Sequence, residues 1–354
     1  NAFTSTINNN TMDVYQDGIR AENGSFLTIN YNEIINFEEY GINFQSSENC
    51  TLNYNRLMSA HTVDWKAGIW NSNSYQNGTV DYNYVEVNGA PDWSEIHGIV
   101  CHDCSINSDT ISMNDVYRGT DDDVMIRAIR ADRSSITNCY IDVWRNGSVD
   151  WGGPAYAIES YATSSSRSLI KNNVINALEG GSGIQASNSD IINNTISPSG
   201  SYSNYTWSIR AQDSCIINNN TITNMGIGID MSYYAGSIID SNFVQVNGQG
   251  IYAESSDNVI ITNNTIQTNS GTLIYTSSGA SVIKYNLLTT SSGRGIHCEN
   301  QAGIEFSNNT IVSASSGDYG IHISNLSAPV VRNNIIQGFQ NGIYADNSLV
   351  NYAL

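Results

Sequence analysis

Basic side chains are scarce in this chain. Lysine occurs only at Lys66, Lys171 and Lys284, and 14 Lys and Arg stand against 33 Asp and Glu, a formal net charge of -19. Such a balance repels DNA, RNA and anionic lipid, so no nucleic-acid partner is expected. Proline is rarer than in most chains of this length, with 4 in 354 residues, and no Pro-rich or Gly/Ser-only stretch marks a linker. No apolar run approaches the length of a membrane span, and no signal peptide is visible. A chain that begins at Asn reads as a processed product or an excised piece. What abounds instead is Asn, Ser, Gly and Tyr, a composition commoner in secreted and cell-surface solenoids than in cytosolic enzymes. An extracellular or cell-surface location is expected on that ground.

Six cysteines would suit disulfides outside the cell, but they sit on different coils except Cys101 and Cys104. Coils of a solenoid lie about 4.8 Å apart, so Cys50, Cys215 and Cys298 are too remote from any partner. Cys101 and Cys298 take the inward place held elsewhere by Ala21, Ala131, Ala186, Ala211 and Ala253. They are therefore expected to be small buried residues rather than disulfide partners. The stretch Cys101-His102-Asp103-Cys104 is half of a zinc site, and no second Cys or His pair completes it.

The dominant pattern is repetition. One phrase recurs fourteen times, a small residue followed by Ile at thirteen of them, as in Gly18-Ile19, Gly41-Ile42, Gly250-Ile251, Gly295-Ile296 and Gly342-Ile343, and Leu273-Ile274 at the other. Between copies stands a phrase of the type Ile-Ile-x-Asn-Asn-x-Ile, as in Ile191 to Ile196. A period of 20 to 30 residues built from short alternating strands is the mark of a β-solenoid. The expected fold is all-β, one domain over residues 1–354 with about 14 coils and no clear end caps. Strand alternation turns Ile at the second place of each copy, and the small or apolar residue at the fourth, into a shared interior. The Asn-Asn step suits a tight corner where one residue takes a left-handed conformation. Stacked Asn can also form a hydrogen-bonded ladder, which makes Asn173, Asn194, Asn242, Asn264, Asn286, Asn309 and Asn334 structural. Both ends fall in mid-coil, in second-strand phrases at Ser5 to Asn8 and Leu349 to Tyr352, so stacking with copies of itself is one expected partnership.

These phrases make the chain resemble the right-handed parallel β-helix superfamily, the pectate-lyase-like and carbohydrate-binding or sugar-hydrolase type repeats of secreted and surface proteins. The resemblance covers essentially the whole chain. It implies right-handed coiling, in keeping with the general preference for right-handed crossovers. It also implies a substrate lying along the outer face of the first strand, walled by the preceding loop. It says little of function, which a fold does not determine.

On that outer face the sequence places a column from Arg20 and Asn43 through Trp70, Val100, Arg130, Glu159, Gln185, Arg210, Asp230, Tyr252 and Tyr275 to His297, His322 and Tyr344. It is expected to form an exposed stripe. Aromatic faces and planar hydrogen-bonding groups suit a sugar chain, with Trp65, Trp70, Trp93, Trp151, Arg210, Tyr252 and Tyr275 as substrate-binding residues. Such residues are equally tolerated on any exposed parallel strand. Coils are longest over residues 58–166, so inserted loops there are expected to wall a cleft. Asp-Trp recurs before the first strand at Asp64-Trp65, Asp92-Trp93 and Asp150-Trp151, with Asp121, Asp122 and Asp123 at the equivalent place. Asp92, Asp121, Asp122, Asp123 and Asp150 are candidate Ca²⁺ ligands, or else each caps its own turn.

The catalytic candidates are His102, Arg130, Asp132, Glu159 and Tyr161, with His61, His97 and Arg127 beside them. A uronate polysaccharide lyase would use Arg130 to neutralise a carboxylate and His102 or Tyr161 as base. A glycoside hydrolase would pair Asp132 with Glu159, or two of the three consecutive Asp. The Gly-His-Gly and Arg-Ile-Lys signatures of polygalacturonases are absent. Eleven Asn-x-Ser/Thr sequons are present, so a glycoprotein is a further expectation. Two readings result: a structural or adhesive, glycan-engaging or self-assembling surface segment, and a polysaccharide-active enzyme, lyase before hydrolase.

Overall fold

A computed structural model describes residues 4–45, 48–61, 65–71, 77–89, 95–115, 125–145, 155–178, 181–198, 206–231, 233, 236–347 and 349–352. The fold is an all-β, right-handed parallel solenoid of about 12 turns, slightly fewer than the copies in the sequence suggested. It contains two compact units, Asn1–Gln185 with Pro198–Ser201, and Ala186–Ser197 with Tyr202–Leu354. No helix of the described residues is long and apolar enough to cross a membrane.

In the first unit each coil contributes three strands, and each strand pairs in parallel with its counterpart on the next coil. The first-strand register aligns Ile19, Ile42, Ile69, Ile99, Ile129 and Ile158. The second aligns Ile7, Ile29, Leu52, Val80, Ile106, Ile136 and Ile170. The third aligns Met12, Ile34, Leu57, Val85, Ile111, Ile141 and Ile175. The second unit repeats the arrangement, with Ile209, Ile229, Ile251, Ile274, Ile296 and Ile321 in its first-strand column. Ile129 and Ile251 are wholly buried, and each such side chain is worth about 1.5–3 kcal/mol of transfer free energy. A small residue precedes each of these first-strand Ile except Ile274, which follows Leu273, because the first strand packs tightly against the third. A Cβ on Gly68 would meet Cγ1 of Val85 at 2.3 Å.

The Asn ladder forms as expected, and the left-handed residue is the one just before each ladder residue, as at Asn193 (φ 56), Asn263 (φ 57) and Asn308 (φ 56). In the second unit Nδ2 of Asn220, Asn242 and Asn264 donates to Oδ1 of the next rung at 3.0, 3.0 and 3.1 Å. In the first unit the corresponding run is Asn32, Asn55 and Asn83, ending on Oδ1 of Asp109 at 2.9 Å. Both terminal strands, Ser5–Asn8 and Leu349–Tyr352, pair as second strands.

One cysteine expectation is overturned. Cys101 is the last residue but one of the first strand Glu95–His102 and Cys104 opens the second strand Cys104–Asn107. The left-handed corner at Asp103 (φ 51) turns both inward, and they form a disulfide with Cα atoms 6.2 Å apart. The half zinc site is thereby consumed. Cys50, Cys139, Cys215 and Cys298 are free and buried.

Candidate functional site

Four first strands of the first unit carry the candidate site: Trp65–Trp70, Glu95–His102, Met125–Asp132 and Ala155–Tyr161. Their registers align Ala67, His97, Arg127 and Tyr156 in one column. A second column holds Trp70, Val100, Arg130 and Glu159, and His102 pairs with Asp132 just beyond. Because rungs are about 4.8 Å apart, long side chains on adjacent rungs reach one another.

They do so as one network. Nε of Arg127 lies 2.5 Å from Oε2 of Glu159, and Nε of Arg130 lies 3.8 Å from the same oxygen. Glu95 receives Nη1 of Arg127 at 3.3 Å and faces Nε2 of His97 at 3.3 Å. The Tyr161 hydroxyl donates to Oε1 of Glu159 at 3.1 Å and accepts a hydrogen bond from the Gln185 amide. The Tyr161 backbone N–H donates to Oδ1 of Asp132 at 2.8 Å, and Oδ2 of Asp132 lies 3.1 Å from Nδ1 of His102. Tyr161 thus joins the Arg–Glu cluster to the His102–Asp132 pair. Beside them stands an aromatic wall. Trp65 meets Trp70 edge-on at 4.5 Å and Tyr40 at 4.9 Å, and the two Trp rings lie 5.7 and 5.8 Å from His97.

Protonation follows from this geometry. The hydrogen bond from His97, aided by the charge of Arg127, holds Glu95 down at about 2. Burial lowers His97, which keeps its ring neutral at physiological pH. Burial, then the charge of Glu159, pushes the Tyr161 phenol up to about 12, so at neutral pH it donates and is not poised to accept a proton. Burial alone would raise Asp132, but His102, the Tyr161 amide and the charge of Arg130 outweigh it and lower the carboxyl. Asp132 is therefore a charged orienting group for His102, as a histidine acting on a proton requires. Both carboxylates of the expected hydrolase pair are engaged, Asp132 by His102 and Tyr161, Glu159 by Arg127 and Tyr161.

The expected exposed stripe is corrected in its middle. Asn43, Val100, Glu159, Gln185 and Asp230 are buried, because longer Arg, Tyr and Trp neighbours on adjacent rungs cover them. What remains open is Trp65, Trp70, Tyr161 and Arg130, whose side chain is 35% exposed. Sequence reasoning passed over Glu95 and Tyr40. The position of Glu95 two residues before His97 on one strand was the available signal. It also passed over Lys66, a wholly buried amine that donates to the carbonyls of His61 and Asn88 and is pushed down to about 7 by burial.

Other candidates fall elsewhere. Trp93, Trp151, Asp92, Asp121, Asp122, Asp123 and Asp150 lie outside the described residues. Among the described residues no group of three or more His, Cys, Asp or Glu is placed to hold a metal ion. Arg210, Tyr252 and Tyr275 belong to the second unit. There Arg210 lies over the Trp207 ring at 4.8 Å and 3.5 Å from Asp230. Tyr252 and Tyr275 stack on each other at 4.9 Å, and a ring series continues through His297 to His322 and Tyr344. Their hydroxyls are held by Glu254 and Glu299.

Residues 180–336 match the family model described as the right handed beta helix region. No curated protein matches the chain. Among solved structures, the Dettilon tailspike protein gp208 is similar with a TM-score of 0.53 and 14% identity over 84% of this chain and 62% of that one. The mannuronan C-5 epimerase AlgE4 A-module of Azotobacter vinelandii gives 0.44 and 13% over 99% and 91%. The surface adhesin PfbA of Streptococcus pneumoniae gives 0.32 and 14% over 96% and 84%. At such identities likeness speaks to fold alone, and this chain spans about 62% of the tailspike's length.

Proposed function

The chain is a right-handed parallel β-helix protein, and from that premise we propose that it engages a polysaccharide on the first-strand face of its first unit, as a secreted or surface-displayed adhesive or structural module. The observation that carries the reading is the half-buried aromatic pair Trp65 and Trp70, with the partly exposed side chain of Arg130 two rungs beyond Trp70 in the same outward column. Sugar rings stack their apolar faces on indoles, and their hydroxyls or carboxylates take planar donors. In an acidic chain, Arg130 offers a locally positive point for a uronate carboxylate. The test is affinity electrophoresis in gels containing alginate or pectate. Retardation by at least one, reduced tenfold or more in Trp70→Ala or Arg130→Ala with the fold retained, is the expected result. Unchanged mobility of the wild-type protein in every gel removes the proposal.

One observation favours a second reading, a uronate polysaccharide lyase. His102 is oriented by a charged Asp132 and is the group best placed to accept a proton, while Arg130 could neutralise the substrate carboxylate. Incubation with uronate polysaccharides, with and without Ca²⁺, would then produce absorbance from the unsaturated product that His102→Ala abolishes. Binding without product leaves the first reading standing.

A further inference from the structure

The second unit has a groove that the site above does not use. It runs across successive third strands, lined by Gln245, Gln267 and Thr289 on the strands and by Asn247, Asn269 and Ser291 on the turns that follow, with a cavity volume of about 350 Å³. Asn224, Val246, Thr268, Thr290 and Ala314 complete its lining. Backbone bonds fix the shelf: the Ser291 N–H donates to the Thr268 carbonyl at 3.1 Å, and that of Ser315 to the Ser291 carbonyl at 2.9 Å. Beneath the strands Val244, Ile266 and Leu288 are wholly buried, so the floor is held by the core.

No lining residue carries a charge or an aromatic ring. That excludes the usual partners one by one. Without Arg or Lys there is nothing to hold a phosphate or carboxylate. Lacking carboxylates, the groove offers no cation site. Without Trp, Tyr or Arg it lacks the anchors on which protein partners dock. What it does offer is uncommitted hydrogen-bonding capacity. Among the described residues the side chains of Asn224, Gln245, Gln267 and Thr289 find no hydrogen-bond partner, whereas Asn269 is tied to Asn247. Each free amide presents two donors and an acceptor, and each hydroxyl both roles.

We infer that this groove is a second carbohydrate site, selective for a neutral, hydroxyl-rich glycan. Amides on two successive rungs, Gln245 with Asn247 and Gln267 with Asn269, are followed by hydroxyls on the third, Thr289 and Ser291, at about 4.8 Å per rung, so a linear chain laid along the solenoid meets an uncharged donor and acceptor at each step. A charged ligand would have to desolvate here without a counter-charge, so uronates are disfavoured in this groove. The inference does not depend on the first-unit reading, since the residues and the ligand charge differ.

The probes are dextran, galactomannan and xyloglucan, with alginate as the charged comparison, in affinity electrophoresis of the whole chain. Wild type is expected to be retarded by at least one neutral polysaccharide, and the Gln245→Ala/Gln267→Ala variant to lose at least tenfold of that affinity. Trp70→Ala is expected to retain it, which separates this groove from the first-unit face. Should the double variant fail to fold, Ser291→Arg, on the exposed shelf, fills the groove without touching the core and must give the same loss. Absence of any retardation of folded wild type by the neutral probes overturns the inference. Retardation that survives both variants overturns it equally.

Discussion

The two units keep the same corner by different means. In the second, Asn194, Asn220, Asn242, Asn264, Asn286, Asn309 and Asn334 form an unbroken amide ladder, each rung donating to the next at 3.0 or 3.1 Å. In the first, the run of amides ends at Asp109, and the next corner residue is Cys139. The unbroken ladder accompanies coils of 20 to 25 residues with little beyond scaffold, while the broken one lies among the longer coils that carry the charged site. An amide in this place supplies two donors and an acceptor where two buried carbonyls and one buried N–H await partners, which neither a carboxyl nor a thiol does.

The largest way to break the comparison is Asn264→Ala. Its Nδ2 serves the carbonyls of Ile239 and Thr262 and Oδ1 of Asn286, while its Oδ1 accepts from the N–H and the amide of Asn242. Truncation orphans several buried groups at once, and we expect a loss of roughly 4–6 kcal/mol in urea unfolding. A loss under about 1 kcal/mol would mean that water replaces the ladder.

Next comes Arg127→Ala in the first unit. Glu159, only 4% exposed, would keep Arg130 at 3.8 Å and the Tyr161 hydroxyl as its neighbours. Removing one partner of a buried ion pair costs about 3–5 kcal/mol. Arg127→Met, which restores apolar volume but not charge, should be nearly as costly, because the stranded carboxylate sets the cost. A methionine variant as stable as wild type would show that Glu159 takes up a proton or finds water.

Asp109→Asn should repair the first ladder. Oδ1 of Asp109 accepts the N–H of Asn83 at 2.6 Å and its amide at 2.9 Å, but Oδ2 is buried with no partner among the described residues. Burial raises this carboxyl well above its usual value. The folded state therefore binds a proton that the unfolded state has released, so Asp109 makes stability fall as pH rises from about 4 up to the folded value. An amide supplies the missing donor at every pH. The variant should be more stable than wild type at pH 7 by about 1–3 kcal/mol and show a flatter fall in stability between pH 4 and 7. A slope unchanged from wild type would mean that another group titrates.

Most of this architecture was legible in the sequence, for a definite reason. A solenoid uses each inward position identically, so Ile19, Ile42 and Ile69 announce their column by recurrence alone. The Asn corners were legible for the same reason. The site was legible only in its members: His97, His102, Arg127, Arg130, Asp132, Glu159 and Tyr161 do meet, because neighbouring rungs place them within reach. Their exposure was not legible, since whether Glu159 lies open or buried depends on how Arg127 and Tyr161 fold over it, which no periodicity encodes. The Cys101–Cys104 bond escaped because Cys101 takes a place that Ala holds on other coils, and that recurrence says nothing of a partner brought to it across the left-handed corner at Asp103. Asp109 escaped because it interrupts the Asn pattern, and a break in a repeat leaves no recurrence to read.

The smallest expected effect concerns the left-handed residue before each ladder position. In the second unit it is Asn or Ser at most corners, but in the first Tyr31, Tyr54 and Tyr82 take it at φ 56, 56 and 57. A bulky side chain pays about 1 kcal/mol or more for that conformation, which Asn largely avoids. The three rings, though exposed, stack face to face at 5.0 and 5.1 Å, and such contacts are worth about 0.5–1.5 kcal/mol each. Tyr54→Asn in the wild-type background removes two stacks and relieves one strained residue, so it should destabilise by no more than about 2 kcal/mol. With Tyr31 and Tyr82 already changed to Asn, the stacks are gone and only the strain remains. The same substitution should then stabilise. A sign that stays the same in both backgrounds would show that stacking does not offset the strain, and that the tyrosines are retained for something they touch beyond one another.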